Sequence, residues 1–275
     1  MWAIRRGGRA LTAARKLDGK VAIVTGAGSS GPGIGTGKGI SVLFAREGAQ
    51  VVLVDKFEDR AKETLQLIED EGGEAVIVTA DLADMAACPQ VVDDAIAHFG
   101  GVDILVNNAA IASSTSLLDT SPELYQQIVA VNLTAPFMLT KAAIPPMVER
   151  GGGSIVNIIS IAALRGQGGG GQAAYASAKS GLIGLMTDVA DTYGKQGIRV
   201  NCIAPGIIAT PMRNQSIIQA GLDPAELDLT FKTSLGIEGD AWDIARAVLF
   251  LAGPDGRYIT GVVLPVDGGT VARSH

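Results

Sequence analysis

The segment Val21-Ala22-Ile23-Val24-Thr25-Gly26-Ala27-Gly28-Ser29-Ser30-Gly31 joins a short apolar run directly to a glycine-rich turn. An apolar run of this length that stops at glycine predicts a buried β-strand. The turn has G-x-G-x-x-G spacing, which lets backbone approach a pyrophosphate and brings that anion to the N-terminus of a following helix. The segment therefore predicts a strand, a phosphate-binding loop and a helix.

Glycine recurs through the rest of this loop, with seven glycines between residues 26 and 39. Pro32 and further glycines delay the helix, which is expected to begin near Gly37. Two turns are thus candidates for the phosphate contact, residues 26–31 and residues 33–37. The residues that we expect to contact the dinucleotide here are Gly26, Ser30 and Gly35.

Apolar runs and amphipathic stretches alternate along the whole chain. The predicted strands are residues 21–25, 51–54, 75–79, 104–106, 155–159, 200–203 and 262–266. The predicted helices are residues 38–47, 59–71, 89–99, 122–150, 174–193 and 241–252. This alternation predicts an α/β fold in which about seven parallel strands form a doubly wound, Rossmann-type sheet. No composition break marks a linker, so residues 17–275 are predicted to form a single domain.

The composition narrows the classes of partner. The chain has 275 residues, 47% of them hydrophobic and only 4% aromatic, which suits a sheet buried on both faces. The net charge of −6 argues against a nucleic-acid partner. Two cysteines form neither a metal spacing nor a disulfide framework, so we expect a reducing, cytoplasmic location and no bound metal. No apolar run approaches the ~20 residues of a membrane helix, and no membrane association is expected.

Residues 1–16 differ from the rest, with five basic residues and no acidic one. This composition resembles that of an organellar transit peptide, but the segment is short and poor in serine. We expect a disordered N-terminal extension, or a start-site artefact, rather than a targeting signal.

Polar side chains follow three of the predicted strands. Asp55 ends the second strand, where a carboxylate accepts the ribose hydroxyls of NAD and repels a 2′-phosphate, although Lys56 beside it could soften that choice. Asp81 and Leu82 follow the third strand and Asn108 the fourth. Because ligands of open α/β sheets lie across the carboxyl ends of the strands, we expect these residues to border the cofactor.

Tyr175 and Lys179 lie four residues apart in a predicted helix, and hence on one face of it. The phenol has an ordinary pKa near ~10, and an adjacent ammonium favours the phenolate. We therefore expect Lys179 to lower the pKa of Tyr175 toward the working range of a general acid or base. Chance often produces this spacing, and a surface pair is the alternative.

Asn132 lies in the long predicted helix, four residues before Pro136. Proline lacks an N–H, so the carbonyl of Asn132 loses its helical donor and needs another partner, commonly water. The alternative is a simple kink. Ser160 ends the fifth predicted strand, and the four glycines 168–171 predict a mobile loop between it and Tyr175. Residues 210–237 have weak periodicity and many helix breakers, as expected of a substrate lid.

Taken together, these motifs resemble the short-chain dehydrogenase/reductase family over residues 17–269. The residues that carry the resemblance are Thr25, Gly26, Gly35, Gly37, Asp55, Asp81, Asn107, Asn108, Ala109, Asn132, Ser160, Tyr175, Lys179, Pro205, Gly206 and Thr210. The glycine loop is about five residues longer than the family pattern, Ala110 replaces a glycine, and the interval between Ser160 and Tyr175 is two residues longer.

The resemblance implies an oxidoreductase that transfers a hydride between NAD(P) and an alcohol or ketone, commonly as a homotetramer. Because Asp55 ends the second strand, we expect the cofactor to be NAD. The substrate that we expect is a secondary alcohol or its ketone. It implies that Tyr175 is the general acid/base, that Lys179 holds the nicotinamide ribose and that Ser160 polarises the carbonyl. It also implies that Asn132 anchors a relay water, and that Thr210 and the backbone near Ile208 hold the carboxamide. The alternatives are a reductase of an activated C=C bond and a non-catalytic dinucleotide-sensing module.

Overall fold

The computed structural model describes residues 15–113, 115–166, 172–219 and 221–273. Glycines 168–171, where a mobile loop was predicted, lie outside the described residues, and so do residues 1–14 of the predicted extension. The last residue of the predicted extension, Lys16, forms an ion pair of 2.6 Å with Asp255. The backbone N–H of Lys16 donates a hydrogen bond to the carboxylate of Glu47.

Seven strands form one parallel sheet, in the order β3-β2-β1-β4-β5-β6-β7. The strands are β1 Val21–Thr25, β2 Gln50–Asp55, β3 Glu74–Thr79, β4 Ile104–Asn107, β5 Gly153–Ile158, β6 Ile198–Pro205 and β7 Val263–Val266. The order reverses direction between β1 and β4, which is the topological switch point where such sheets bind ligands. The predicted doubly wound α/β fold is confirmed.

Eight α-helices connect these strands in the part of the chain that the structure describes. They are α1 Thr36–Arg46, α2 Glu58–Asp70, α3 Ala87–Phe99, α4 Pro122–Val129, α5 Ala135–Glu149, α6 Ala173–Tyr193, α7 Pro211–Gln219 and α8 Ala241–Ala252. Short 3₁₀ turns occur at Ile161–Ala163, Gly194–Gln196, Thr230–Lys232 and Pro254–Gly256.

The sheet is covered on both faces, as the apolar strands predict. Ile23 of β1 faces one core, which it shares with buried residues of α3, α5 and α6. Its neighbours Ala22 and Val24 face the other core, which contains residues of α1, α2 and α8. Alternate residues of each strand thus serve opposite layers, and the carboxyl ends of the strands share one edge.

The predicted helix over residues 122–150 is interrupted. A π-helical turn, Ala130–Thr134, separates α4 from α5, and the N–H of Ala135 donates to the carbonyl of Ala130, five residues earlier. Pro136 explains the interruption, because it cannot donate to the carbonyl four residues before it.

The same helical stretch corrects the expectation that no segment is apolar enough to span a membrane. Among the described residues, one helix passes by length and composition alone, the 28-residue stretch Pro122–Glu149. Half of its most apolar window is buried inside the fold, and it packs against α3 and α6.

Candidate active site

A cavity of about 530 Å³ runs along the carboxyl edge of the sheet. Its two ends are named here by a residue at each, the Asp55 end and the Tyr175 end. It is lined by all of the residues that the sequence predicts to bind the cofactor, namely Gly26, Ser30, Gly35, Asp55, Asp81, Leu82, Asn108, Tyr175, Lys179, Ile208 and Thr210. Ser160 lines it as well, whereas Asn132 does not.

The glycine loop closes on itself, so that both candidate turns reach the cavity. The hydroxyl of Ser29 accepts a 2.8 Å hydrogen bond from the N–H of Gly35, and α1 begins at the next residue, Thr36. Residues 26, 28–30 and 35–37 line the cavity, whereas residues 31–34 do not. The extra length of the loop therefore bulges away from the phosphate-facing turn.

Two features of the loop fit a pyrophosphate. A Cβ on Gly37 would overlap the carbonyl oxygen of Gly26, and a Cβ on Gly26 would lie 2.9 Å from the Cα of Ala109, so only glycine allows this close approach. The buried hydroxyl oxygen of Ser30 has no hydrogen-bond partner among the described residues. A phosphate oxygen satisfies such a donor, and the N-terminus of α1 favours its charge.

Asn108 fixes the end of β4 to this loop. Its side-chain amide donates to the carbonyl oxygens of Thr25, at 2.8 Å, and Gly26, at 3.1 Å. The hydroxyl of Thr25 in turn accepts from the backbone N–H groups of Asn108 and Ala109. These bonds hold the loop and the β4 end rigidly at the switch point.

The Asp55 end of the cavity contains two opposite charges. The carboxylate of Asp55 accepts from the backbone N–H of Gly28 at 2.9 Å and from that of Phe57 at 3.0 Å. Arg60 also lines this end, with its guanidinium 4.1 Å from the centroid of the Phe57 ring. Arg60 was not predicted from the sequence, because Arg60 comes beside Gly28 only when α2 packs against the loop.

Lys56, the residue that could soften the effect of Asp55, forms an ion pair with Asp81. Its ammonium lies 2.7 Å from the carboxylate of Asp81, and both side chains are about half exposed. A hydrogen bond from Lys56, together with one from the N–H of Ala83, lowers the pKa of Asp81. The pair bridges the ends of β2 and β3 beside the cavity.

At the Tyr175 end, a partly buried tyrosine and a fully buried lysine lie next to Ser160. Burial raises the pKa of Tyr175 to about 12, and a side-chain hydrogen bond with Ser160 opposes that increase. The hydroxyl of Ser160 also accepts from the N–H of Ala162 at 3.1 Å, which orients it at the end of β5. This geometry allows a carbonyl or hydroxyl to reach both oxygens at once.

Lys179 does not lower the pKa of Tyr175 in this structure, contrary to the expectation from the sequence. Its ammonium lies 5.9 Å from the centroid of the tyrosine ring and donates at 2.7 Å to the carbonyl of Ile158. Burial lowers the pKa of Lys179 to about 8. Desolvation thus dominates both groups, because the ammonium is directed to the backbone of β5 rather than to the phenol.

Asn132 acts on the cavity wall through Ile111. Its side-chain amide donates to the carbonyl of Ile111 at 2.9 Å and its oxygen accepts from the N–H of Ile111 at 2.8 Å. Asn132 is fully buried, and Ile111 lines the cavity. The π-helical turn directs this amide toward the loop after β4.

The predicted lid contains α7, whose base is fixed to the chain that precedes α8. Ile208 forms a parallel bridge with Gly239, and Arg213 forms a bidentate ion pair with Glu238, at 2.8 and 3.1 Å. The lid residues that line the cavity are Thr210, Pro211, Met212, Arg213, Ser216 and Leu229. Of the apolar lid residues, Ile217 is buried, whereas Ile218, Leu222 and Phe231 are exposed.

Known proteins match this chain over nearly all its length. Residues 31–271 match the family described as enoyl-(acyl carrier protein) reductase. The 2,5-dichloro-2,5-cyclohexadiene-1,4-diol dehydrogenase LinX of Sphingobium indicum is 39% identical over 257 residues, which are 93% of this chain and 98% of that protein.

Two solved structures are also similar. Carveol dehydrogenase from Mycobacterium avium, in complex with NAD, is 30% identical with a TM-score of 0.86, over 94% of this chain and 99% of that one. A structure from Beutenbergia cavernae with bound NADP is 33% identical with a TM-score of 0.84, over 94% and 100% of the two chains. The chain belongs to the short-chain dehydrogenase/reductase family, whose members are oxidoreductases that bind a nicotinamide dinucleotide.

Proposed function

We propose that this protein is an NAD-dependent oxidoreductase that interconverts a secondary alcohol and its ketone. The observation that carries the proposal is the convergence of Ser160, Tyr175 and Lys179 at one end of a cavity whose other end holds Asp55. The bound dinucleotide supplies the hydride acceptor for the alcohol, or the donor for the ketone.

The residues of the chain supply binding and proton transfer. Ser160 donates to the substrate oxygen and orients it against the hydroxyl of Tyr175. Tyr175 takes the proton of the alcohol or returns it to the ketone oxygen. Lys179, a cation buried beside the tyrosine, contacts the nicotinamide ribose. Asn132 holds Ile111 at the cavity wall and anchors a water for the proton relay.

At the Asp55 end, Gly26, Ser30 and Gly35 bind the pyrophosphate, and Asp81, Leu82 and Asn108 border the adenosine. Asp55 accepts the ribose hydroxyls, which favours NAD over NADP because a 2′-phosphate has the same sign of charge. Ile208 and Thr210 hold the carboxamide. The similarity to a carveol dehydrogenase that binds NAD supports this assignment.

The substrate that we propose is uncharged. Among the described residues, four cationic side chains line the cavity, and Lys56 and Arg60 belong to the Asp55 end. Lys179 is directed to the carbonyl of Ile158, and Arg213 is paired with Glu238. The Tyr175 end is otherwise lined by apolar residues such as Ile111 and Val131 and by neutral polar ones. Carveol dehydrogenase and the LinX diol dehydrogenase, both similar to this chain, are named for alcohols without a charged group.

The assembly that we propose is a cytoplasmic homotetramer. Its subunits would pack through α4, α5 and α6, because Tyr125 of α4 and Phe137 of α5 are exposed and α6 contains many small residues. The domain that assembles is residues 17–275, after a basic extension of residues 1–16.

Reduction of an activated C=C bond is the second candidate, because the matching family is described by that activity. An absorbance assay of reduced nicotinamide separates the two candidates and a non-catalytic dinucleotide sensor. We expect turnover with NAD and neutral cyclic or long-chain secondary alcohols. Turnover with enoyl thioesters alone, or dinucleotide binding without any turnover across both panels, would contradict the proposal.

A further inference from the structure

The extra segment of the glycine loop, residues 30–34, lies against the lid helix α7. The side-chain amide of Gln215 donates a hydrogen bond to the backbone carbonyl of Ser30. A Cβ on Gly31 would lie 3.7 Å from Pro211, and one on Gly33 would also lie 3.7 Å from Pro211. The segment therefore lies against the first two turns of α7, with space for little more than a Cβ atom between them.

We propose that Gln215 is a positioning residue for the dinucleotide, acting through Ser30. It holds the added segment so that the hydroxyl of Ser30 meets the pyrophosphate, and it makes release of the dinucleotide depend on separating α7 from the loop. This inference rests on the proposed dinucleotide-binding function.

The first support is the state of Ser30. Its backbone carbonyl accepts a hydrogen bond from Gln215, and its buried hydroxyl oxygen lacks a partner among the described residues. Ser30 is also one of the residues that line the cavity. A buried donor without a partner costs free energy, which a ligand oxygen recovers on binding. Gln215 itself is exposed and does not line the cavity, so its effect on the ligand must pass through the loop.

The second support is the way in which α7 is held. Two residues before Gln215, the guanidinium of Arg213 is fixed by both carboxylate oxygens of Glu238. The segment that precedes α7 is fixed by two hydrogen bonds, from the N–H of Ala209 to the carbonyl of Gly239 and from the N–H of Gly239 to the carbonyl of Ile207. Because an ion pair and backbone hydrogen bonds both fix the N-terminal part of α7, the hydrogen bond from Gln215 attaches the glycine loop to a helix that is itself fixed.

The experiment compares variants of Gln215 in the full-length protein. Gln215→Ala removes the bond, Gln215→Glu replaces its donor by an acceptor, and Gln215→Lys restores a donor. Asn214→Ala is the matched control, because Asn214 is the adjacent exposed amide on α7 and does not line the cavity. The probe is NADH, with affinity measured by fluorescence titration and dissociation by stopped flow.

We expect Gln215→Ala and Gln215→Glu to weaken NADH binding about tenfold, mainly through faster dissociation, the scale of one lost hydrogen bond. Gln215→Lys should recover most of the affinity, and Asn214→Ala should bind as wild type does. With a substrate found by the alcohol panel, KM for the dinucleotide should rise in proportion while kcat stays unchanged or increases.

A double-mutant cycle tests the route through Ser30. Ser30→Ala should weaken binding on its own, and adding Gln215→Ala should then cost less than it does in wild type, because the hydroxyl that Gln215 positions is gone. Additive losses would show that Gln215 acts elsewhere and would overturn the inference. Unchanged NADH affinity and dissociation in Gln215→Ala would overturn it too, while leaving the proposed function intact. A wild-type protein that binds neither NADH nor NADPH would instead refute the proposed function itself.

Discussion

The ammonium of Lys179 donates a 2.7 Å hydrogen bond to the carbonyl of Ile158 at the end of β5. Only 1% of the lysine is exposed, so this bond holds a cation in the core. The cation lies at the same end of the cavity as Ser160 and Tyr175. Burying this charge costs stability. Such costs are typical of functional sites, where a perturbed group serves the chemistry.

The buried charge predicts how stability depends on pH. The ordinary pKa of a lysine is 10.5 and burial lowers that of Lys179 to about 8. Between these values the unfolded chain binds more protons than the folded one, so the free energy of unfolding rises with pH. The cost of the buried charge to the free energy of unfolding is fully present below about pH 8 and has disappeared by about pH 10.5, a change of about 3 kcal/mol.

Urea unfolding of wild type and of Lys179→Met, measured between about pH 7 and about pH 10.5, tests this expectation. As the pH rises, the free energy of unfolding of wild type should increase by about 3 kcal/mol relative to that of Lys179→Met. Burial raises the pKa of the Cys88 thiol to about 11, and this thiol titrates alike in both proteins. Burial raises the pKa of Cys202 to about 12 and the charge of Lys179 opposes that increase, so the difference between the two proteins includes this interaction. Two stabilities that run parallel across the range would contradict the prediction.

Cofactor preference should depend on Asp55. We expect kcat/KM to be at least about tenfold higher with NAD than with NADP, because the carboxylate opposes a 2′-phosphate. Asp55→Asn should reduce the ratio, and Arg60→Ala should increase it by removing the cation at the same end of the cavity. Asp59→Asn is the control, since the side chain of Asp59 is 96% exposed. Equal use of both cofactors by wild type would refute the role of Asp55.

Pro136→Ala tests whether the missing helical donor matters for the proton relay. The substitution supplies an N–H to the carbonyl of Asn132, so stability should hold or rise, while activity should fall by roughly ~10²-fold with an altered pH–rate profile. Pro145→Ala removes an exposed proline from the same helix, α5, and should leave the profile unchanged. If the profile of Pro136→Ala superimposes on that of wild type, the proline only accommodates the bend.

The assembly through α6 can be disrupted without disturbing the fold. A Cβ on Gly184 would meet nothing within 4 Å, so Gly184→Arg should fold normally and block close packing between subunits. Gly194→Arg, at the end of α6, is the matched control, because it too has open space and ordinary helical backbone angles. Light scattering should show a tetramer for wild type and Gly194→Arg and a smaller species for Gly184→Arg. A monomeric wild type at micromolar concentration would exclude the tetramer.

The sequence predicts most of the fold because local signals mark it. The strands are apolar runs that stop at polar or glycine residues, and strand β1 and helix α8 begin and end where predicted. The π-helical turn Ala130–Thr134 was not predicted, because Pro136 indicates a missing donor but not how the backbone rearranges around it.

The chemistry of the site is less predictable, since it depends on contacts between distant residues. The spacing of Tyr175 and Lys179 puts them on one face, but the direction of the ammonium depends on the carbonyl of Ile158 in another element. Lys56 is next to Asp55 in sequence yet pairs with Asp81 across the strand ends, whereas Arg60 reaches the cavity from α2.

The most direct test of the central claim is Tyr175→Phe, measured for turnover and for NADH binding in the same preparation. The substitution removes one hydroxyl from a partly buried ring and leaves Lys179 and the other dinucleotide-binding residues in place. We predict that alcohol oxidation falls at least about 10²-fold while NADH affinity stays within about twofold of wild type. A variant that retains near wild-type kcat would show that Tyr175 is not the acid/base and would contradict the account.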